Sequence, residues 1–320
     1  MTTRVIALLA AVLATIPAAA QEAYPSKPVR LVIPFAPSGP ADLIARIVGQ
    51  KLTEEFGKQF YIENHAGAGG NIGTALAARA PADGYTLLIN SQALVINASL
   101  YKSLPYDPDK DFVPISWMDA GHLPTIVNKN VPAKNIKEFA EFARNNKTSM
   151  GTYGAGSYSH CAVEALNRHY KLAMQAVHYR GEAPMWIDVA SGAVQAGSGS
   201  YAAAAAVLQS GNGRAIAVPT KTRMRKLPDV GTFLEQGIDD KAFQVQGFIC
   251  LVGPAAMPKD IVLKLSDMMV EAGKSERIQK ILDTFGIDMA AQDHVFFEKI
   301  LAEQGPIWIE LVKGLNLEPQ

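Results

Sequence analysis

The chain has 320 residues, with 30 Lys plus Arg against 30 Asp plus Glu, so its formal charge balances. That balance removes the electrostatic footprint of a nucleic-acid binder, and only two cysteines, Cys161 and Cys250, exclude a disulfide framework and a C-x-x-C metal site. The length exceeds what one hydrophobic core usually serves, so two lobes are expected.

Residues 1–20 read as a secretory signal peptide: Arg4, the apolar run "VIALLAAVLATIP", then Ala18-Ala19-Ala20 as a small-residue cleavage site before Gln21. The mature protein is therefore expected to be soluble and exported, and no cysteine follows the cleavage site to carry a lipid. Next come a strand "VRLVIPF" and a helix from about Pro40 to Phe56, then "QFYIENHAGAGG" and a helix from Asn71, then "GYTLLINS" and a helix near Ala93. The scheme repeats from Pro124: a strand "PTIVNKN", a helix Ile136 to Arg144, a strand ending near Tyr153, and a helix capped by Ser159. After these follow "AVHYRG", a helix around Ala183 to Ala190, the strands "AVQAGSG" and "RAIAVPT", the segment "VQGFICLVGP" and an all-helical tail. Strand-loop-helix repetition predicts an α/β fold of largely parallel sheet. The run Lys221, Arg223, Arg225, Lys226 reads as a solvated loop.

Three strand-to-helix loops carry the chemistry. Pro40 suits the first helical position, Ser38 or Gly39 the cap, and Asp42 the first turn, where its charge opposes the helix dipole. The Pro37-Ser38-Gly39 loop then presents free amides, and a helix start at the end of a parallel strand suits an anion. In "HAGAGGNIG" the glycines 67, 69 and 73 miss the dinucleotide spacing, which needs Gly where Ile72 stands. Backbone amides near an anion or the other lobe, or a plain tight turn, both fit these glycines. The third loop, "GTYGAGSYSHCAVEAL", offers Ser157 and Ser159 as hydroxyl donors beside a helix start.

Catalysis finds little support. His160 and Cys161 are adjacent on a helix and point about 100° apart, so one cannot readily serve as base for the other. The chain has no G-x-S-x-G elbow, no H-E-x-x-H and no carboxylate cluster at metal-ligand spacing. No cofactor, no metal and no enzymatic activity are expected. His178 reads as a buried, hydrogen-bonded strand residue. Cys161 and Cys250 are either two buried thiols or a pair, and Trp186, Tyr153 and Tyr158 either lobe core or flanks for an aromatic acid.

The segments "YPSKPVRLVIPFAPSGPADLIAR", "ENHAGAGGNIGTALAARAPADGYTLL", "SLYKSLPYDPDKDFVPIS", "YGAGSYSH", "LPDVGTFLEQGI" and "GPAAMPKDIVLKL" resemble, in order, the Bug-type periplasmic receptors of tripartite tricarboxylate transporters. The resemblance implies a two-lobed periplasmic binding protein of the type II kind, with a ligand cleft between lobes joined by a two-segment hinge. Residues 24–124 with 250–320 would form the first lobe and 125–249 the second. It further implies a small organic carboxylate (di-, tri- or aromatic) as guest, integral membrane transporter subunits as partner, and a monomer in the periplasm. The matching pocket positions are Phe35, Pro37, Ser38 and Gly39, then Ser91 and Gln92, then Gly154, Ala155, Gly156, Ser157 and Ser159, with Tyr179 in a stretch resembling a cleft-facing "PYKG". One departure stands out: Gln195 and Gly199 occupy places where relatives often carry acids, which makes amino acids less expected as guests, since an ammonium group wants a carboxylate partner. A receptor that presents its ligand to a membrane sensor kinase is the alternative to transport, and an exported hydrolase a remote one.

Overall fold

The computed structural model describes residues 23–37, 40–245 and 247–318; the expected signal peptide, together with Ser38 and Gly39, lies outside the described residues. In chain order the first elements are β1 (Val29–Ile33), α1 (Pro40–Phe56), β2 (Phe60–Asn64), α2 (Asn71–Ala78), β3 (Thr86–Ser91), α3 (Ala93–Leu100), β4 (Phe112–Asp119) and β5 (Thr125–Asn128). Then follow α4 (Ile136–Asn145), β6 (Ser149–Thr152), α5 (Tyr158–Tyr170), β7 (Gln175–His178), α6 (Glu182–Ser191), β8 (Ala196–Ser198), α7 (Tyr201–Gln209) and β9 (Gly213–Ala217). The chain closes with β10 (Phe248–Pro254), α8 (Lys259–Gly273), α9 (Glu276–Phe285) and α10 (His294–Lys313).

Val29, Leu31, Val32 and Ile33 of β1 are all buried, as are Leu87, Leu88 and Ile89 of β3. Such near-continuous burial belongs to strands covered on both faces, and here helices cover them. β1 pairs in parallel with β2 and β3, while β10 runs antiparallel between β3 and β4, giving the order β2-β1-β3-β10-β4. The second sheet has the order β7-β6-β8-β5-β9, with β6 parallel to β7 and β8 and β5 antiparallel to β8 and β9. This is the two-sheet α/β architecture expected from the sequence, but the sheets are mixed rather than largely parallel, because β10 and β5 run antiparallel to both of their neighbours.

The chain passes from the first sheet to the second through residues 120–124 and returns by the segment between β9 and β10. The return segment carries the basic run, and it is not simply solvated. Arg225 Nε donates to Asp288 Oδ1 at 2.9 Å, Lys226 pairs with Asp283 at 2.7 Å, and Arg223 pairs with Glu235 at 2.8 Å. Asp288 also accepts from the ring of buried His122 at 3.0 Å, so one carboxylate joins both crossings.

The C-terminal helix serves both sheets. Phe297, near its start, belongs to one apolar cluster with Trp117 and Phe248, whereas Trp308 and Val312 belong to another with Phe139, Tyr158 and Phe243 beside the second sheet. The sequence-based division places all of 250–320 in the first lobe, while the last turns of α10 share an apolar cluster with residues of the second sheet. An apolar face at helical spacing declares that a helix is buried, not against which sheet.

Candidate functional site

In the first sheet β1, β2 and β3 run together, and β4 runs with them because both β3 and β4 oppose β10. In the second sheet β6, β7 and β8 end where β5 begins, with Ser198 opposite Thr125. Residues 120–124 lead from the end of β4 to the start of β5, so the C-terminal edges of both sheets flank the crossing. That edge is where open α/β sheets hold ligands. The two sides touch: a Cβ on Gly156 would lie 3.1 Å from Leu100 Cδ2, and Ile96 of α3 shares a core with Tyr158.

On the first side, Phe35 is half-buried and its carbonyl accepts from Asn64 Nδ2 at 3.1 Å, while Pro37 is exposed in a turn. α1 begins at Pro40, as its ring predicts. Asp42 is buried in the first turn, where Arg46 Nε (2.8 Å) and Asn64 Nδ2 (2.8 Å) donate to it, so its role is structural. The glycine-rich stretch forms a 3-10 turn, Ala68–Gly70, fastened by Asn97, whose side-chain amide donates to the Gly69 carbonyl at 3.0 Å. Gly73 is required by close approach: a Cβ there would meet Pro34 Cα and the His65 carbonyl at 2.9 Å. Ser91 Oγ accepts the Ala93 N–H at 3.2 Å, and the Gln92 carbonyl accepts the Val95 and Ile96 N–H groups at 3.0 Å.

On the second side, Gly154 (φ 151°) and Gly156 (φ 76°) turn the chain after β6. Ser157, not Ser159, caps α5: its Oγ accepts the His160 N–H and donates to the Gly154 carbonyl at 2.6 Å. Ser159 is fully buried, with its hydroxyl held by the Tyr153 N–H at 3.1 Å and Ser157 Oγ at 2.9 Å. The Gly156 N–H donates to His160 Nδ1 at 3.2 Å. The N–H groups of Gly154 and Ala155 take no part in these bonds.

Tyr179 turns its hydroxyl to α6, donating to Asp188 Oδ2 at 2.6 Å, and burial with the Asp188 charge pushes the phenol up to about 12. His178 is hydrogen-bonded as expected, Nδ1 to Thr152 Oγ1 at 2.6 Å, but it is exposed, because β7 is an edge strand. Tyr158 and Trp186 belong to lobe cores. Tyr153 is half-buried and packs against the same core as Tyr158, its ionisation pushed up by burial and by the nearby Glu182 charge. Cys161 and Cys250 are both free and buried, and burial raises each thiol to about 12.

Sequence reasoning missed Glu182. Its Oε2 accepts from Ser200 N–H at 2.9 Å, Ser200 Oγ at 2.7 Å and Trp186 Nε1 at 3.4 Å. Burial raises its pKa even though these donors favour the ionised form. The signal, an acid directly after "HYRG", is visible only once β7 and β8 are known to end side by side. Gln195, by contrast, accepts the Ser149 N–H at 2.8 Å, at the opposite edge of the sheet.

Two cavities lie elsewhere: one of about 490 Å³ beside the crossings, near His122, Thr220 and Asp288, and a small apolar one of about 70 Å³ beneath α9. Lys221 of the basic run lines the larger one, but among the described residues none of the expected pocket positions lines either. Among the described residues no group of three His, Cys, Asp or Glu side chains gathers as metal ligands, and no helix is long and apolar enough to cross a membrane.

A two-sheet α/β fold whose C-terminal strand edges flank the crossings is the fold of periplasmic binding proteins, and solved structures agree. The chain superimposes on the periplasmic binding protein BugD with TM-score 0.75 and 30% identity, covering 93% of this chain and 100% of that one. It superimposes on R. palustris Rpa4515, solved with adipate, with TM-score 0.79 and 27% identity over the same shares of the two chains. It is 32% identical to the "UPF0065 protein in tcbD-tcbE intergenic region" of Pseudomonas sp. (strain P51), across 98% of this chain and 94% of that protein. Residues 44–317 match the family described as "Tripartite tricarboxylate transporter family receptor". The chain belongs to this family of Bug-type solute-binding receptors.

Proposed function

We propose that this receptor captures a small organic carboxylate between its two sheets, closes over it, and delivers it to the integral membrane subunits of a tripartite transporter. It works in the periplasm as a monomer, exported through residues 1–20. The observation that carries this reading is the apposition of two C-terminal strand edges, joined at Leu100 and Gly156. The free N–H groups of Gly154 and Ala155 and the loop from Phe35 to Gly39 would hold the carboxylate, with Ser91, Gln92, Gly156 and Ser157 shaping the wall. Ser159 and Tyr179, whose hydroxyls are already bonded, support that wall from behind. The adipate held by the R. palustris relative supports a carboxylate as guest.

A hydrogen bond to a charged group is worth about 1.5–3 kcal/mol net, so four or five such donors suffice for the roughly 8 kcal/mol of a micromolar complex. Closure excludes water and gives a membrane partner a shape that reports occupancy. The test is a thermal-shift screen over mono-, di-, tri- and aromatic carboxylates, followed by calorimetry of each compound that raises the melting temperature. A guest bound only by the folded state raises it by mass action. A screen in which only uncharged sugars or alcohols stabilise the protein would overturn the proposal.

A further inference from the structure

The second sheet carries an acid at its C-terminal edge, although Gly199 and Gln195 replace acids at the places the sequence draws attention to. It comes from a different element. Glu182 opens α6 just after β7, Tyr153 follows β6, and Ser200 precedes α7 just after β8. Because the strands neighbour one another in the order β7-β6-β8, these three residues converge on one edge, the edge that faces the first sheet.

Only one carboxylate oxygen of Glu182 is used internally. Oε2 receives both donors of Ser200 and the Trp186 indole N–H, whereas Oε1 takes none of these bonds and is not among the sealed, partnerless atoms of the core; the residue itself is half-buried. The glycine at 199 belongs to the same arrangement: a Cβ there would lie 3.0 Å from Glu182 Oε2 and 3.0 Å from the Trp186 ring. A side chain at 199 and a carboxylate at 182 compete for one space, and this chain fills it from position 182.

We propose that Glu182 sets the guest's chemical class: a carboxylate whose far end carries a hydrogen-bond donor, hydroxyl or ammonium, in preference to a dicarboxylate. The proposal rests on the reading of the crevice as a carboxylate site. With the guest's carboxylate on the backbone N–H groups, Oε1 accepts a hydrogen bond from a donor at the other end. A second carboxylate there meets a like charge in a partly desolvated wall, the repulsive element by which a site rejects a near relative of its ligand. This reverses the expectation, drawn from Gly199 and Gln195, that ammonium-bearing guests lack a partner.

The experiment is calorimetry at neutral pH with matched chains: succinate, γ-hydroxybutyrate and γ-aminobutyrate, then adipate, ε-hydroxycaproate and ε-aminocaproate. The two donor-bearing arms separate hydroxyl from ammonium. The wild type is expected to bind a donor-bearing member at least about tenfold more tightly than the dicarboxylate of equal length. Glu182→Gln, which keeps the shape and loses the charge, brings the pair to within about threefold. Glu182→Asp keeps the charge and the direction of preference, and decides the matter should the Gln variant fail to fold. A wild type that prefers the dicarboxylates, or a Gln variant with undiminished preference, overturns the assignment of Glu182 while leaving the carboxylate site intact. A wild type that binds no carboxylate in either series removes both.

Discussion

Leu100 and Gly156 meet across the two sheets, with 3.1 Å between Leu100 Cδ2 and the place a Cβ on Gly156 would take. Gly156 also has φ 76°, a region other residues enter only at a cost. Gly156→Ala is therefore expected to lower stability by about 1–2 kcal/mol in urea titrations, from backbone strain and from crowding of Leu100. Adding Leu100→Ala should relieve the crowding and leave the strain, so the double mutant is less destabilised than the sum of the single changes. Strict additivity would mean that the two side chains do not meet.

Asp288 receives the His122 ring, the Arg225 guanidinium and the Arg225 N–H, so its loss should matter more than the loss of any one partner. Arg225→Ala breaks an exposed ion pair and should cost under about 1 kcal/mol. Asp288→Asn should cost more, roughly 1–3 kcal/mol, because buried His122 then loses its charged acceptor. The two urea midpoints check the ordering.

His160 gives a pH dependence whose sign follows from its surroundings. Burial first, and His178 second, lower its pKa from 6.5 to about 4. The unfolded chain thus binds a proton at this site that the folded chain refuses. The stability is complete above pH 6.5 and declines as the pH falls toward about 4, below which this group changes nothing further. The neighbouring exposed His178 tempers the effect to about 1–2 kcal/mol. Melting temperatures between these limits should fall less steeply in His160→Gln, whose side chain can still accept from the Gly156 N–H.

Cys161 and Cys250 make a chemical prediction. With both thiols buried and raised to about 12, neither should react with a disulfide reagent in the native state at pH 8, and both should react once urea unfolds the chain. Rapid labelling of the native protein would contradict their placement in the cores.

Much of this fold was legible because its signals are local. Pro40 marks the start of α1, apolar runs mark β1 and β3, and glycines mark the turn after β6, each within a few residues of the feature it creates. What escaped is nonlocal. Ser157 rather than Ser159 caps α5 because Ser159 Oγ is drawn inward to the Tyr153 N–H. Tyr179 is drawn to Asp188, and α10 crosses from one core to the other. Glu182 was invisible for the same reason: its partner Ser200 caps another helix, and the Gly199 that admits it reads, along the chain, as a simple loss of acid.

The most direct test is a crystal structure of the protein with a carboxylate that calorimetry has shown to bind. The guest's carboxylate should lie between the two sheets, within hydrogen-bond reach of N–H groups from residues 35–39 or of Gly154 and Ala155. A guest seated in the cavity beside His122 and Asp288, or one touching no main-chain donor at either strand edge, would contradict the account.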